Sequence, residues 1–194
     1  MRKILPVLAL ACFAYPALAA ESVYTDIDAE KDCSVFAAAE EGEGDWANLV
    51  CNGWRGYPVT IYSGDLRQSV FYGFSAGGAP AWQSFAGFNS TGPRIEWRVE
   101  TYKGVTAPYA TIHRWFVSSP EDPEKQVEVL VVAKVGQIEA RDGCAVGLVL
   151  ATGNPGANEM ARTIADEQAR EFACGADEKV IVGDPMPEFS RAEN

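Results

Sequence analysis

The chain has 194 residues, with 16 basic and 27 acidic side chains and a formal net charge of −11 at neutral pH. A surface of this sign repels polyanions, so the composition argues against a nucleic-acid partner. The length suits a single domain with a sizeable core, and no linker to a second domain is evident.

Residues 1–19 have the pattern of a secretory signal peptide. Arg2 and Lys3 precede an apolar run over residues 4–14, and Ala17-Leu18-Ala19 is a small-x-small cleavage site. The run is about half of the ~20 residues that a transmembrane helix needs, so we expect no membrane span. The pattern predicts a periplasmic or secreted protein.

Cys12 lies inside this leader, which makes lipid attachment through Cys12 an alternative to complete removal of the leader. Ala9 stands three residues before it, and the cleavage site at residues 17–19 fits better. We therefore favour cleavage over a lipoprotein.

Four cysteines remain after cleavage, an even number that predicts two disulfides in an exported protein. We expect Cys33–Cys51 and Cys144–Cys174, because each pair closes a local loop. The chain lacks the Cys-x2-Cys spacing of metal sites and redox motifs, so no metal or cofactor is expected.

In chain order, residues 21–51 show no single periodicity and contain an acidic, glycine-broken loop at residues 40–45, which lacks calcium-loop spacing. Alternating apolar residues then predict strands, which are short and closely connected, as in an antiparallel meander. The six strand candidates are Tyr57–Tyr62, Leu66–Phe74, Arg94–Thr101, Tyr109–Val117, Val127–Val135 and Cys144–Ala151.

A helix is predicted from Pro155 to Ala173, with Asn154 as its N-cap and Gly175 after its end. Apolar residues recur at three- and four-residue steps and should pack on the sheet. We assign the charged residues of the opposite face to solvent: Glu159, Arg162, Asp166, Glu167, Arg170 and Glu171.

These elements predict an α+β fold, with an antiparallel sheet of about six strands and a C-terminal helix packed on one face. The domain would span residues 20–183, and residues 184–194 would form a flexible tail.

The segment between Phe74 and Pro93 is a long connection that carries Trp82, Phe85 and Phe88. Long connections in compact domains are usually functional or disordered, and the aromatic content argues against full disorder. Two interpretations stay open: the aromatics form a lid on the core, or some of them form an exposed recognition edge.

A second candidate site combines charged residues and tryptophans on neighbouring strands: Arg94, Trp97, Arg98, His113 and Trp115. Ion pairs on a solvated sheet face explain the charges. The alternative is a binding surface, because arginine and tryptophan are enriched at the energetic centres of interfaces.

Catalytic motifs are missing from the sequence. His113 is the only histidine, and there is no Gly-x-Ser-x-Gly, His-Glu-x-x-His or phosphate-binding glycine loop. We assign no catalytic residue, and His113 is interpreted as a histidine on a sheet face. As a general base it would need a nucleophile and a carboxylate from elsewhere in the chain.

The strings Gly64-Asp65-Leu66-Arg67, Glu96-Trp97-Arg98 and the helix from Ala161 to Cys174 resemble those of a group of secreted proteobacterial proteins of unassigned function. The resemblance implies export and brings no activity, substrate or site residue with it.

The sequence thus predicts an exported periplasmic binding or interaction module, inhibitor-like, whose partner is an unknown protein or small ligand of the periplasm. Its site would combine the aromatic segment with the Arg/Trp sheet face. Two alternatives are a hydrolase-type enzyme using His113 or carboxylates, and a structural envelope protein.

Overall fold

A computed structural model describes residues 20–119, 121–122 and 124–192 of the chain. The predicted signal peptide, including Cys12, lies outside these residues. The described residues form the following strands and helix: β1 (Glu21–Asp26), β2 (Cys33–Ala38), β3 (Trp46–Asn52), β4 (Pro58–Gly64), β5 (Arg67–Tyr72), β6 (Trp82–Phe85), β7 (Asn89–Tyr102), β8 (Val105–Ser118), β9 (Gln126–Lys134), β10 (Ala145–Leu150), α1 (Ala157–Gln168), β11 (Val180–Val182) and β12 (Phe189–Ala192).

The strands form three sheets. A large sheet has the order β1-β7-β8-β9-β10-β11, a small sheet has the order β2-β3-β4-β5, and β12 pairs with β6 in a two-stranded ribbon. Neighbouring strands are antiparallel except β10 and β11.

The predicted α+β class is wrong, because strands make up 51% and helices only 9% of the described residues. A six-stranded sheet with one short helix against it is present, but the fold is mostly β. The prediction failed because β1, β2, β3, β6, β11 and β12 are short strands that tertiary pairing stabilises, and their sequences alternate weakly. Two of the six strand candidates correspond to β4 and β5. These strands belong to the small sheet and not to the single six-stranded meander that was expected.

The large sheet is covered on both faces. One face packs against the small sheet, where Trp97 and Trp115 meet Ile61 and Tyr72 in a common apolar core. The other face packs against α1 through a second cluster that includes Ile112, Leu130, Ala161 and Ile164. The result is a layered structure of helix, large sheet and small sheet, with the ribbon beside the small sheet.

Gly147 of β10 allows the helix to approach the large sheet closely. A Cβ atom at this position would lie 2.7 Å from the Cγ2 atom of Ile164 in α1. Carbon atoms do not approach so closely without a shift, so a larger residue here would push the helix outward.

The helix is shorter than predicted, and its cap differs. It begins after Gly156 and ends at Gln168, and the Asn154 side chain accepts a hydrogen bond from the Gly156 amide at 3.0 Å. Asn154 therefore stabilises the turn that precedes the helix, rather than capping its first turn.

Three residues that we assigned to the solvent face of the helix instead form ion pairs with strand β7. The pairs alternate in sign and lie side by side, and we call them the ion ladder: Arg162 with Glu96 at 2.7 Å, Asp166 with Arg98 at 2.7 Å, and Arg170 with Glu100 at 2.8 Å. Two residues of a strand and four residues of a helix both advance by about 6–7 Å, so the spacings match.

The middle pair holds the most buried cation of the ladder, because the Arg98 side chain is only 8% exposed. Its guanidinium donates two parallel hydrogen bonds to Asp166, at 2.8 and 2.7 Å, and the Tyr109 hydroxyl donates a third at 2.6 Å. Burial alone would raise the pKa of Asp166, but these hydrogen bonds outweigh it and lower the pKa below its ordinary value.

Both expected disulfides are present, Cys33–Cys51 and Cys144–Cys174. The first joins directly opposed residues of β2 and β3. The second ties the segment after the helix to the start of β10. The segment for which we expected a flexible tail contains strand β12, which pairs with β6.

The ion ladder predicts that Asp166→Ala lowers the free energy of unfolding by about 3 kcal/mol, because it leaves the buried Arg98 without its carboxylate. The matched control is Asp26→Ala, which removes the partner of the exposed Arg94 and should leave stability unchanged. Urea unfolding at pH 7 measures both. Equal losses in the two variants would show that the ladder does not hold the helix.

Candidate functional site

Four of the eight predicted binding residues are buried in the core between the two sheets. Trp97, Trp115, Phe85 and His113 are each at most 2% exposed. Trp97 and Trp115 point toward the small sheet, whereas Arg98 lies on the helix side of the large sheet. The structure therefore does not bring arginine and tryptophan together on one exposed sheet face.

The remaining predicted residue that belongs to this sheet, Arg94, is exposed. Its guanidinium donates to both carboxylate oxygens of Asp26 on the neighbouring strand, at 2.6 and 3.0 Å. This is a cross-strand ion pair, which was the alternative to a binding surface for the charged residues of these strands.

Both ring nitrogens of His113 form hydrogen bonds, and the one to Tyr72 connects the large sheet to the small sheet. Nε2 lies 2.7 Å from the Gly92 carbonyl oxygen, and Nδ1 lies 2.7 Å from the Tyr72 hydroxyl. A carbonyl can only accept, so Nε2 carries the proton and Nδ1 accepts from Tyr72. Burial lowers the pKa of His113 to about 4, although the hydrogen bond to Gly92 acts in the opposite direction. The ring is a neutral core residue without access to a substrate.

Trp82 and Phe88, from the predicted aromatic segment, reach the surface at two adjoining cavities. Phe88 is 52% exposed and lines a cavity of about 440 Å³ together with Leu66 and Arg67. Trp82 lines a cavity of about 280 Å³ on the outer side of the small sheet. The two cavities share Ser63 and Gly64 at the end of β4.

The outer side of the small sheet carries a group of aromatic side chains, because alternate residues of its strands point away from the core. We define the aromatic face as Phe36, Trp46, Tyr62 and Trp82. Phe36 is 54% and Trp46 is 40% exposed. Phe36 meets Tyr62 edge to face, with ring centroids 6.2 Å apart.

The smaller cavity, which we call the groove, lies within this face. Trp46, Tyr62 and Trp82 supply its aromatic walls. Its other lining residues are small or polar, and none of them is charged: Asn48, Ser63, Gly64, Ser69, Ala79 and Pro80. The volume of about 280 Å³ lies just below the usual range for ligand sites, which is about 300–1,000 Å³.

Gly64 makes the position of Trp46 possible. The two residues are directly opposed in the β3–β4 ladder, and a Cβ atom at Gly64 would lie only 3.3 Å from the Cβ atom of Trp46. The indole therefore has room beside the backbone of β4, an arrangement of aromatic and glycine that recurs in β-sheets.

Three of the four aromatic-face residues were not predicted from the sequence: Phe36, Trp46 and Tyr62. In β3, Trp46 and Val50 on the outer side are apolar, and so are Leu49 and Cys51 on the core side, so the sequence lacks the apolar–polar alternation of a half-buried strand. The two sides of the strand therefore look alike in the sequence. The sequence does not show which side of the small sheet a second layer covers, so Trp46 and Tyr62 were not predicted as site residues.

Within the described ranges, no three or more His, Cys, Asp or Glu side chains come together in a way that could hold a metal ion. The same residues include no helix of the length and apolarity needed to cross a membrane. Comparison of the chain with protein-family models, curated proteins and solved structures found no match.

The environment of His113 predicts that its imidazole stays neutral in the folded protein down to about pH 5. The resonance of its Cε1 proton can be followed by NMR without ambiguity, because the chain has one histidine. We expect a midpoint near 4, against 6.5 for an ordinary histidine.

The urea-unfolded protein is the control and should titrate near the ordinary value. Since the unfolded chain then binds a proton that the folded chain does not, stability should fall by about 3 kcal/mol from this group as pH drops from 6.5 to 4. A midpoint above 6 in the folded protein would contradict the buried hydrogen-bonded arrangement.

Proposed function

We propose that the protein is an exported binding or interaction module of the periplasm or the secreted fraction, and that it binds its ligand on the aromatic face. Two disulfides support an oxidising compartment, where such bonds persist. The leader-like pattern of residues 1–19 supports export.

The observation that carries the proposal is the exposure of Phe36 and Trp46 beside a groove walled by aromatic rings. Large aromatic side chains supply much of the energy of core packing and of binding. Here they lie on the side of the small sheet that faces away from the core, and contact with a ligand would remove their apolar area from water.

The alternatives receive less support from the geometry. A hydrolase using His113 would need the ring at a surface, and both of its nitrogens are engaged inside the core. A purely structural protein would not need a groove with three aromatic walls. We therefore assign the function to binding rather than to catalysis or to a passive structural role.

The proposal predicts that the double variant Tyr62→Ala/Trp82→Ala loses binding that the wild-type protein shows. A printed array carrying neutral glycans, acidic glycans and short peptides presents all three ligand classes at once. We expect wild-type protein to bind at least one class, and the double variant to bind it about tenfold more weakly or worse.

The matched control is Phe88→Ala/Tyr102→Ala, which removes two exposed aromatics that lie outside the aromatic face. Thermal unfolding checks that each variant is folded. Binding to none of the three classes, or an equal loss in the control, would contradict the proposed function.

A further inference from the structure

We infer that the ligand of the groove is an uncharged carbohydrate, bound by stacking of a sugar ring on the aromatic walls. This inference rests on the proposed function and specifies its ligand class. It follows from the charge, the polar groups and the backbone pairing of the groove.

The groove is uncharged although the protein as a whole is strongly acidic. No Asp, Glu, Lys or Arg is among its lining residues, whereas the adjoining cavity contains Asp45 and Arg67. An ionised ligand would lose hydration on entering the groove and find no opposite charge to replace it. The lining therefore selects a neutral ligand.

The loop next to the groove strengthens this selection against anions. Residues 40–45 contain four carboxylates and join β2 to β3, and the loop ends directly before Trp46. The Ala39 amide donates to the Trp46 carbonyl at 3.0 Å, which holds the loop at the edge of the aromatic face. Negative charge at this edge raises the cost of binding an acidic glycan or a phosphate.

The polar groups of the groove suit a ligand with hydroxyls. Among the described contacts, the half-buried Asn48 side chain has no hydrogen-bond partner within the chain, so its amide can donate to and accept from a ligand. A sugar ring has a flat face of C–H groups and a rim of hydroxyls. The C–H face fits an aromatic wall, and the rim fits an amide beside it.

An extended peptide fits the groove less well. Peptides that add to sheets bind through their backbone at a free strand edge. The groove instead lies over β3, β4 and β5, where Asn48, Tyr62 and Ser69 are opposed to one another in continuous ladders. The backbone groups of these three residues are paired within the sheet, so they offer no free strand edge to a peptide.

The test is isothermal titration of the folded protein with four probes: cellotetraose, maltotetraose, the tetramer of N-acetylglucosamine, and tetragalacturonate as the acidic counterpart. A neutral hexapeptide is the fifth probe. We expect at least one neutral tetrasaccharide to bind, and tetragalacturonate and the peptide to bind at least about tenfold more weakly.

Four variants locate the site. Tyr62→Ala and Trp82→Ala should each weaken binding of the neutral saccharide about tenfold or more, and Asn48→Ala should weaken it several-fold through the lost hydrogen bonds. Phe88→Ala, in the adjoining cavity, should leave the affinity unchanged. Because Trp82 or Tyr62 could also matter for folding, thermal unfolding of each variant is measured alongside.

The outcomes separate this inference from the proposed function. Preferential binding of the peptide or of tetragalacturonate, abolished by Tyr62→Ala, would overturn the carbohydrate assignment and leave a binding module on the aromatic face. If Phe88→Ala abolished saccharide binding and Trp82→Ala left it intact, the saccharide would not bind in the groove. Binding of no probe would overturn the carbohydrate assignment, and the wider array then decides the proposed function.

Discussion

Residues 95–99 of strand β7 are buried on both faces of the strand, and the layers of the protein depend on this single strand. Its odd-numbered residues Ile95, Trp97 and Val99 enter the core shared with the small sheet, and its even-numbered residues form the strand side of the ion ladder. A shift of one residue in its pairing would place Glu96, Arg98 and Glu100 in the apolar core. The cost of burying three charges there fixes the register of β7, and with it the positions of the helix on one side and the small sheet on the other.

Packing in this core also fixes the orientation of the small sheet. Ile61 and Tyr72 occupy its inner face, and the hydrogen bond between Tyr72 and His113 connects that face to strand β8. A buried pair of polar groups is tolerated because each satisfies the other. With the inner face committed to the core, the aromatic residues at alternate positions point outward. The aromatic face is therefore a consequence of how the two sheets pack, and the proposed binding function rests on its uncharged groove.

Several parts of the fold could be predicted from the sequence because local signals suffice. The alternation in β7, the apolar runs of β8, β9 and β10, the existence of the helix and the two disulfide pairs all follow from spacing. The ion ladder could not be predicted, because Arg162, Asp166 and Arg170 look the same in sequence whether they face water or charges more than sixty residues away. The aromatic face was missed for a related reason: the sequence does not show which side of a sheet a second layer covers, and only the tertiary structure decides this. Trp97 and Trp115 were assigned to a surface for the same reason.

The most direct measurement of the central claim uses the five tryptophans, whose indole N–H groups give separate NMR signals. A saturating neutral tetrasaccharide should shift the signals of Trp46 and Trp82, which wall the groove. The signals of Trp97 and Trp115 should stay in place, because these rings are enclosed between the sheets. Shifts confined to tryptophans outside the groove, or no shift of any indole at saturation, would contradict saccharide binding in the groove.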